Sequence, residues 1–136
     1  MAALACDIVT PAARLFSEEA YMVVVPGVEG EMGFLPGHAP TVSVLADGVV
    51  RLKDEGGVAK RAFALQGGYV EVNGEKVIIL ANRAVAVEDI DAQAVSEELA
   101  ALQQQAQGKD EAELAKTTLP ADIAWCNVRI KAAQAA

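Results

Sequence analysis

Glycine and proline are not spread evenly along this chain. Ten of its 11 glycines and four of its five prolines fall before residue 89. Beyond that point 13 of the last 47 residues are alanine. Turn-forming punctuation every several residues describes short strands joined by tight loops. Alanine mixed with Glu, Gln, Lys and Leu describes helix. The partition therefore predicts an α+β chain. An all-β domain occupies about residues 1–88, a flattened antiparallel sandwich of about ten strands, and a hairpin of two antiparallel helices occupies 89–136. At 136 residues, 53% apolar and 22% charged, the chain can bury a core without a disulfide or metal staple.

The strand half carries period-2 signals. Val50 and Leu52 point one way and Arg51 and Lys53 the other. Phe63 and Leu65 continue that pattern after a turn at Asp54-Glu55-Gly56-Gly57. Asn73-Gly74 predicts a type I′ loop. A two-residue loop there places Glu71 opposite Lys76 and Val70 opposite Val77, with Val70, Val72, Val77 and Ile79 on the core face. Val23–Val25 and Val77–Leu80 are apolar throughout, as strands covered on both faces are.

The helical half is amphipathic at helical spacing. Val95, Leu99, Leu102 and Ala106 form one stripe, and Leu119, Ile123, Cys126 and Ile130 a second. Asp89 or Asp91 caps the first helix, Gly108 stops it and Asp110 starts the next. Pro120 cannot sit in a helix interior. It restarts the second helix, leaving 110–118 as a separate short piece.

Several function classes are excluded. With 11 basic against 19 acidic residues the net charge is −8, which argues against nucleic acid and against a polybasic hold on lipid. No apolar stretch approaches a membrane span, and Met1–Asp7 lacks the basic start and long apolar core of a signal peptide. Cys6 and Cys126 read as reduced, partly buried thiols. One histidine and two distant cysteines make no metal site, and no nucleophile elbow or phosphate-binding loop is present. No metal, cofactor or catalytic residue is expected.

The segment Val25–Pro40 packs four glycines and three prolines into sixteen residues. It reads as tight turns carrying short extended pieces, and not as a regular strand or helix. Two meanings are open: a loop that closes one end of the sandwich, or a rigid acidic tip that binds a protein. A small enzyme using Glu31 and His38 and a free-standing binding module are the competing classes.

These residues carry a resemblance. The run Val24-Val25-Pro26-Gly27-Val28-Glu29-Gly30-Glu31-Met32-Gly33-Phe34-Leu35-Pro36-Gly37-His38-Ala39-Pro40 resembles the epsilon subunit of F-type, proton-translocating ATP synthases. So do Ile8–Pro11, Leu15–Ala20, Gly67–Val72 and Glu88–Asp91, so that the likeness spans essentially the whole chain. It implies a non-catalytic subunit of the rotor's central stalk at the cytoplasmic face of a bacterial inner membrane. The implied partners are the gamma subunit, the ring of c subunits and the alpha/beta head. It implies a loop facing the c ring at Glu29, Glu31, Gly33 and His38, and a hairpin that inhibits ATP hydrolysis when it extends. Some members bind ATP through Ile-Asp-x-x-Arg-Ala. Ile90 and Asp91 match that pattern, but Ala94 stands where the arginine would be, so bound ATP is not expected. Inhibitory contacts from the second helix would fall to Arg129 and Lys131. Weak inhibition is expected, because cations are scarce there.

Overall fold

The computed structural model describes residues 3–135. Met1, Ala2 and Ala136 lie outside it, including the first two residues of the segment read as lacking a leader. Ten strands come first: β1 Leu4–Val9, β2 Arg14–Ala20, β3 Met22–Gly27, β4 Gly30–Phe34, β5 His38–Leu45, β6 Gly48–Lys53, β7 Ala59–Gln66, β8 Gly68–Gly74, β9 Lys76–Leu80 and β10 Arg83–Ala86. A 3-10 turn at Val87–Asp89 leads to helices α1 Ala92–Ala106, α2 Glu111–Leu114 and α3 Leu119–Ala135.

The strands run in the order β10-β7-β6-β3-β5-β8-β9-β1-β2, with β4 added on β3. The path folds over where β3 and β5 meet only at Gly27 and Leu45. This gives a sandwich with β10-β7-β6-β3-β4 against β5-β8-β9-β1-β2. Its two layers enclose one apolar core that includes Leu4, Ile8, Val23, Val25, Phe34, Val50, Leu65, Val70 and Ile79. Phe16 of β2 meets Phe63 of β7 edge-on across the layers, ring centres 4.6 Å apart. One strand pair departs from the antiparallel expectation: β1 lies parallel to β9, from Ala5 opposite Lys76 to Val9 opposite Leu80. The sixty-odd residues between them supply the long connection that a parallel pair needs.

Three local expectations are corrected. The β8–β9 loop is centred on Gly74-Glu75, so Asn73 pairs with Lys76, Val72 with Val77, Glu71 with Ile78 and Val70 with Ile79. Only Gly74 has positive φ, at 60°, which is the pattern of a type II′ loop. The expected register would have set Glu75 across from Val72 on the core face. The observed one moves that carboxylate into the turn and matches four buried apolar side chains with each other. Secondly, β9 is not covered on both faces: Val77 and Ile79 are buried, but Leu80 is exposed. Val23, Val24 and Val25 of β3 are all buried, as expected. Thirdly, both cysteines are fully buried and not partly so, Cys6 in the sandwich core and Cys126 where α1 meets α3.

The helical half follows its stripes. Asp91 is the N-cap of α1 and accepts from the N–H groups of Gln93 and Ala94. Asp110 caps the one-turn α2, and Pro120 occupies the second position of α3, where its missing N–H costs nothing. Helix α3 packs along α1 on one side and on β6, β7 and the 3-10 turn on the other.

Candidate functional site

The glycine- and proline-rich run is a regular β-hairpin followed by a turn, which corrects the expectation that it holds no regular strand. β3 and β4 pair from Val23 opposite Phe34 to Gly27 opposite Gly30, with Val28-Glu29 at the tip. Five residues of β4 cover roughly 17 Å. The chain then turns at Leu35-Pro36-Gly37 at the other end of the sandwich before entering β5.

This geometry separates the four residues expected on one ring-facing loop. Glu29 is exposed at the hairpin tip, and Glu31 is exposed two residues along β4, where Arg51 of β6 donates to its carboxylate at 2.7 Å. Gly33 lies farther along β4, with the terminal methyl of Met22 and a methyl of Val24 over its open side, where a side chain would press on Met22. His38 is half-buried at the far end. Its ring stands edge-on to Phe34 at 5.0 Å, and Nδ1 lies 2.8 Å from the Ala39 carbonyl. A carbonyl only accepts, so Nδ1 carries the proton. Glu29 and Glu31 thus come together, while Gly33 and His38 shape the hairpin and its exit. Glu31 and His38 each have a separate partner and form no acid/base couple.

The surface beside Glu29 and Glu31 was not anticipated. On β5 the polar Thr41 and Ser43 face inward, opposite Val72 and Val70. Val42 and Val44 therefore face out, and Val42 is 72% exposed. Val44 pairs with Tyr69, and Tyr69 with Leu80, making an apolar row across three strands of the outer face. Tyr69 is 55% exposed, and Val28 at the hairpin tip is 59% exposed. A groove of about 470 Å³ runs between the tip and this row, lined by Val28, Glu29, Glu31, Val42, Val44 and Tyr69. The available signal was Val42 and Val44 at two-residue spacing beside Val77–Leu80, which is apolar on both faces. One set of these residues had to face away from the core.

At the start of α1, Ile90 and Asp91 border a cleft of about 210 Å³ together with Asp89, Glu98 and Arg129. Three carboxylates face one guanidinium there. Arg129 is already committed: it donates to Glu98 at 2.6 Å and lies over the Trp125 ring at 5.2 Å. The Cys126 thiol donates to the same Glu98 oxygen at 3.1 Å. That hydrogen bond, then the Arg129 guanidinium, holds the Glu98 carboxyl below its ordinary range. Burial foremost, then Glu98, pushes the Cys126 thiol up. The Asp91 carboxylate occupies the helix N-terminus, the usual seat of a phosphate. Lys131 is exposed.

A family model of the beta-sandwich domain of the ATP synthase delta/epsilon chain matches residues 3–87. The ATP synthase epsilon chain of Parvibaculum lavamentivorans is 42% identical over 94 residues, 69% of this chain and 70% of that one. The ATP synthase epsilon chain 1 of Cereibacter sphaeroides is 39% identical over 116 residues, 85% of this chain and 80% of that one. Among solved structures, a chain of the Euglena gracilis mitochondrial ATP synthase, determined as an OSCP/F1/c-ring assembly, superposes with a TM-score of 0.72 at 26% identity. It covers 100% of this chain and 83% of that one.

Proposed function

This chain belongs to the ATP synthase delta/epsilon chain family, as a non-catalytic epsilon-type subunit, and we propose that it joins the gamma subunit to the c ring in the rotor's central stalk. The observation that carries this reading is the outward apolar row Val44–Tyr69–Leu80 on an otherwise acidic chain. Exposed apolar area of this kind is kept for a partner. The gamma subunit docks on this row. Glu29 and Glu31, at the hairpin tip beside it, face the polar loops of the c ring, where their charge orients docking. The β domain, about 1–88, thereby couples ring rotation to the catalytic alpha/beta head. Among the described residues no helix is long and apolar enough to cross a membrane. The subunit sits peripherally on the inner-membrane face through the complex.

The hairpin, 89–136, is a regulatory appendage that inhibits ATP hydrolysis weakly. Arg129 is engaged by Glu98, which leaves Lys131 as the exposed cation of this part of α3. The cleft at Ile90 and Asp91 is acidic and its Arg129 is already paired with Glu98, so regulation proceeds without bound ATP.

The test is reconstitution with its own gamma subunit, head and c ring. Tagged chain should carry all three from solubilised membranes, and a chain ending at Glu88 should do the same and leave ATP hydrolysis near the level seen with the full chain. Recovery of the chain alone overturns the rotor reading. A large rise in hydrolysis on truncation overturns weak inhibition while leaving the rotor reading intact.

A further inference from the structure

The main core cluster is built from residues between Leu4 and Ala86, and the helices bury Val95, Leu119, Cys126 and Ala132 apart from it. The last turn of α3 leaves an open groove against β6 and β7, to which the helix contributes only Ala133 and Ala135. Small side chains bury little apolar area and hold an element weakly. Two polar ties between α3 and the sheet converge on one place. Gln66 of β7 and Arg83 of β10 are directly opposed in the sheet. Gln66 donates through Nε2 to the Ala121 carbonyl at 2.8 Å, and Arg83 donates through Nη2 to the Asp122 carboxylate at 2.6 Å. One cross-strand pair therefore grips two consecutive residues in the first turn of α3. The grip is prepared from the helix side: Thr118 donates to the second Asp122 oxygen at 2.8 Å, so both carboxylate oxygens are engaged.

We propose that the Gln66–Arg83 pair is a polar clasp that sets whether α3 lies on the β domain or leaves it. The clasp itself rests on the geometry alone. Its consequence for ATP hydrolysis rests on the regulatory reading of the hairpin given above. Arg83 and Asp122 are about a third exposed, so the ion pair is screened by salt while the apolar core is not. Release swings α3 away about the loop before Leu119, and Pro120 makes that point a natural break.

The chain carries its own reporter. Trp125 is its one tryptophan and lines the groove between α3 and the sheet with Pro11, Leu15, Arg83, Val85 and Arg129. Acrylamide quenching of Trp125 in the full chain is the measurement, with far-UV circular dichroism and a thermal melt of each variant to establish that the sandwich remains folded. Arg83→Gln, Asp122→Asn and Gln66→Leu should each raise the quenching constant at least twofold, and 1 M salt should do so in the native chain. The double variant of Arg83→Gln with Asp122→Asn should be no worse than either single change, because the two residues act as one contact. Quenching unchanged in all three variants, or strictly additive effects of Arg83 and Asp122, overturns the clasp. If the variants expose Trp125 and hydrolysis by the assembled enzyme moves far from its native level, the clasp stands and the reading of the hairpin as a weak inhibitor fails.

Discussion

Gly68 opens β8 at φ +117°, and a Cβ built there overlaps the Leu80 carbonyl oxygen. Alanine would therefore meet both a strained backbone and a collision with main chain, which cannot swing aside. Gly74 also has positive φ, at 60°, but has open space around its Cβ position. Gly68→Ala should cost about 3 kcal/mol or more, and Gly74→Ala about 1 kcal/mol, in denaturant melts of the full chain. Equal losses would show that the collision is relieved elsewhere. Asp7 is the other residue under tension. It is the one buried charged side chain among the described residues, accepting from Ser17 Oγ at 2.7 Å and lying 3.5 Å from Lys76 Nζ. The Ser17 hydrogen bond first, and the Lys76 charge after it, outweigh burial and hold its carboxyl below the ordinary value. A folded-state value below the unfolded one, near 3.9, adds stability above that pH. The gain is lost as pH falls through the folded value. Asp7→Asn should cost about 1–2 kcal/mol at pH 7 and flatten the stability profile below about pH 4. A profile unchanged from the native chain would show that other carboxylates carry the acid sensitivity. Cys6, beside it, is pushed up to about 12 by burial foremost and by Asp7, so it stays a neutral core side chain at any pH of the cell.

Elements were legible in the sequence where local chemistry alone decides them. The two helical stripes, the turn at Asp54–Gly57, the stop at Gly108 and the restart at Pro120 each follow from spacing or from one residue's backbone limits. What was not legible depends on the other layer. Asn73-Gly74 favours one loop locally, but the register is set by keeping Glu75 off the core face, which only the paired strand reveals. The parallel β1–β9 pair joins segments far apart in sequence and has no local signature. Val42 and Val44 alternate with polar residues as a core-facing strand would, yet they point outward, because the parity of β5 is fixed by Thr41 and Ser43 opposite Val72 and Val70. The candidate site suffered most from this. A contiguous run of sixteen residues looked like one tip and is two ends of a hairpin. At this scale the testable contact is the α1 cap, where Asp91 accepts from two N–H groups at 3.1 and 3.2 Å. Asp91→Ala should remove about 1 kcal/mol from the helix start. Amide exchange over the first turn of α1 should quicken about fivefold while the strands keep their protection. Quickening that reaches the strands would mean that the helices and sandwich unfold together.

For the whole molecule, the decisive fact is that the main core cluster ends at Ala86, and two consequences follow. A chain ending at Glu88 keeps every residue of the core cluster, so it should unfold cooperatively with a midpoint within a few degrees of the full chain. Partial unfolding at ambient temperature would show that α3 is needed to cover β6 and β7. The second consequence concerns the face that carries the proposed rotor contact. Val44 and Tyr69 point away from the core, so charging one of them leaves the sandwich packing untouched. Val44→Asp should therefore melt within about 0.5 kcal/mol of the native chain, the ordinary range for a surface change. The same substitution sets a carboxylate in the middle of the Val44–Tyr69–Leu80 row, where a docked partner excludes water and the charge goes unpaired. Loss at the centre of a docking surface runs to about 2 kcal/mol or more, so capture of gamma should weaken roughly thirtyfold. Glu31→Gln, at the hairpin tip, keeps the row intact and should leave gamma binding near normal while it weakens association with the c ring. Equal loss of both partners in both variants would mean that gamma and the ring share one surface, and the division of the β domain into a gamma-facing row and a ring-facing tip would fall.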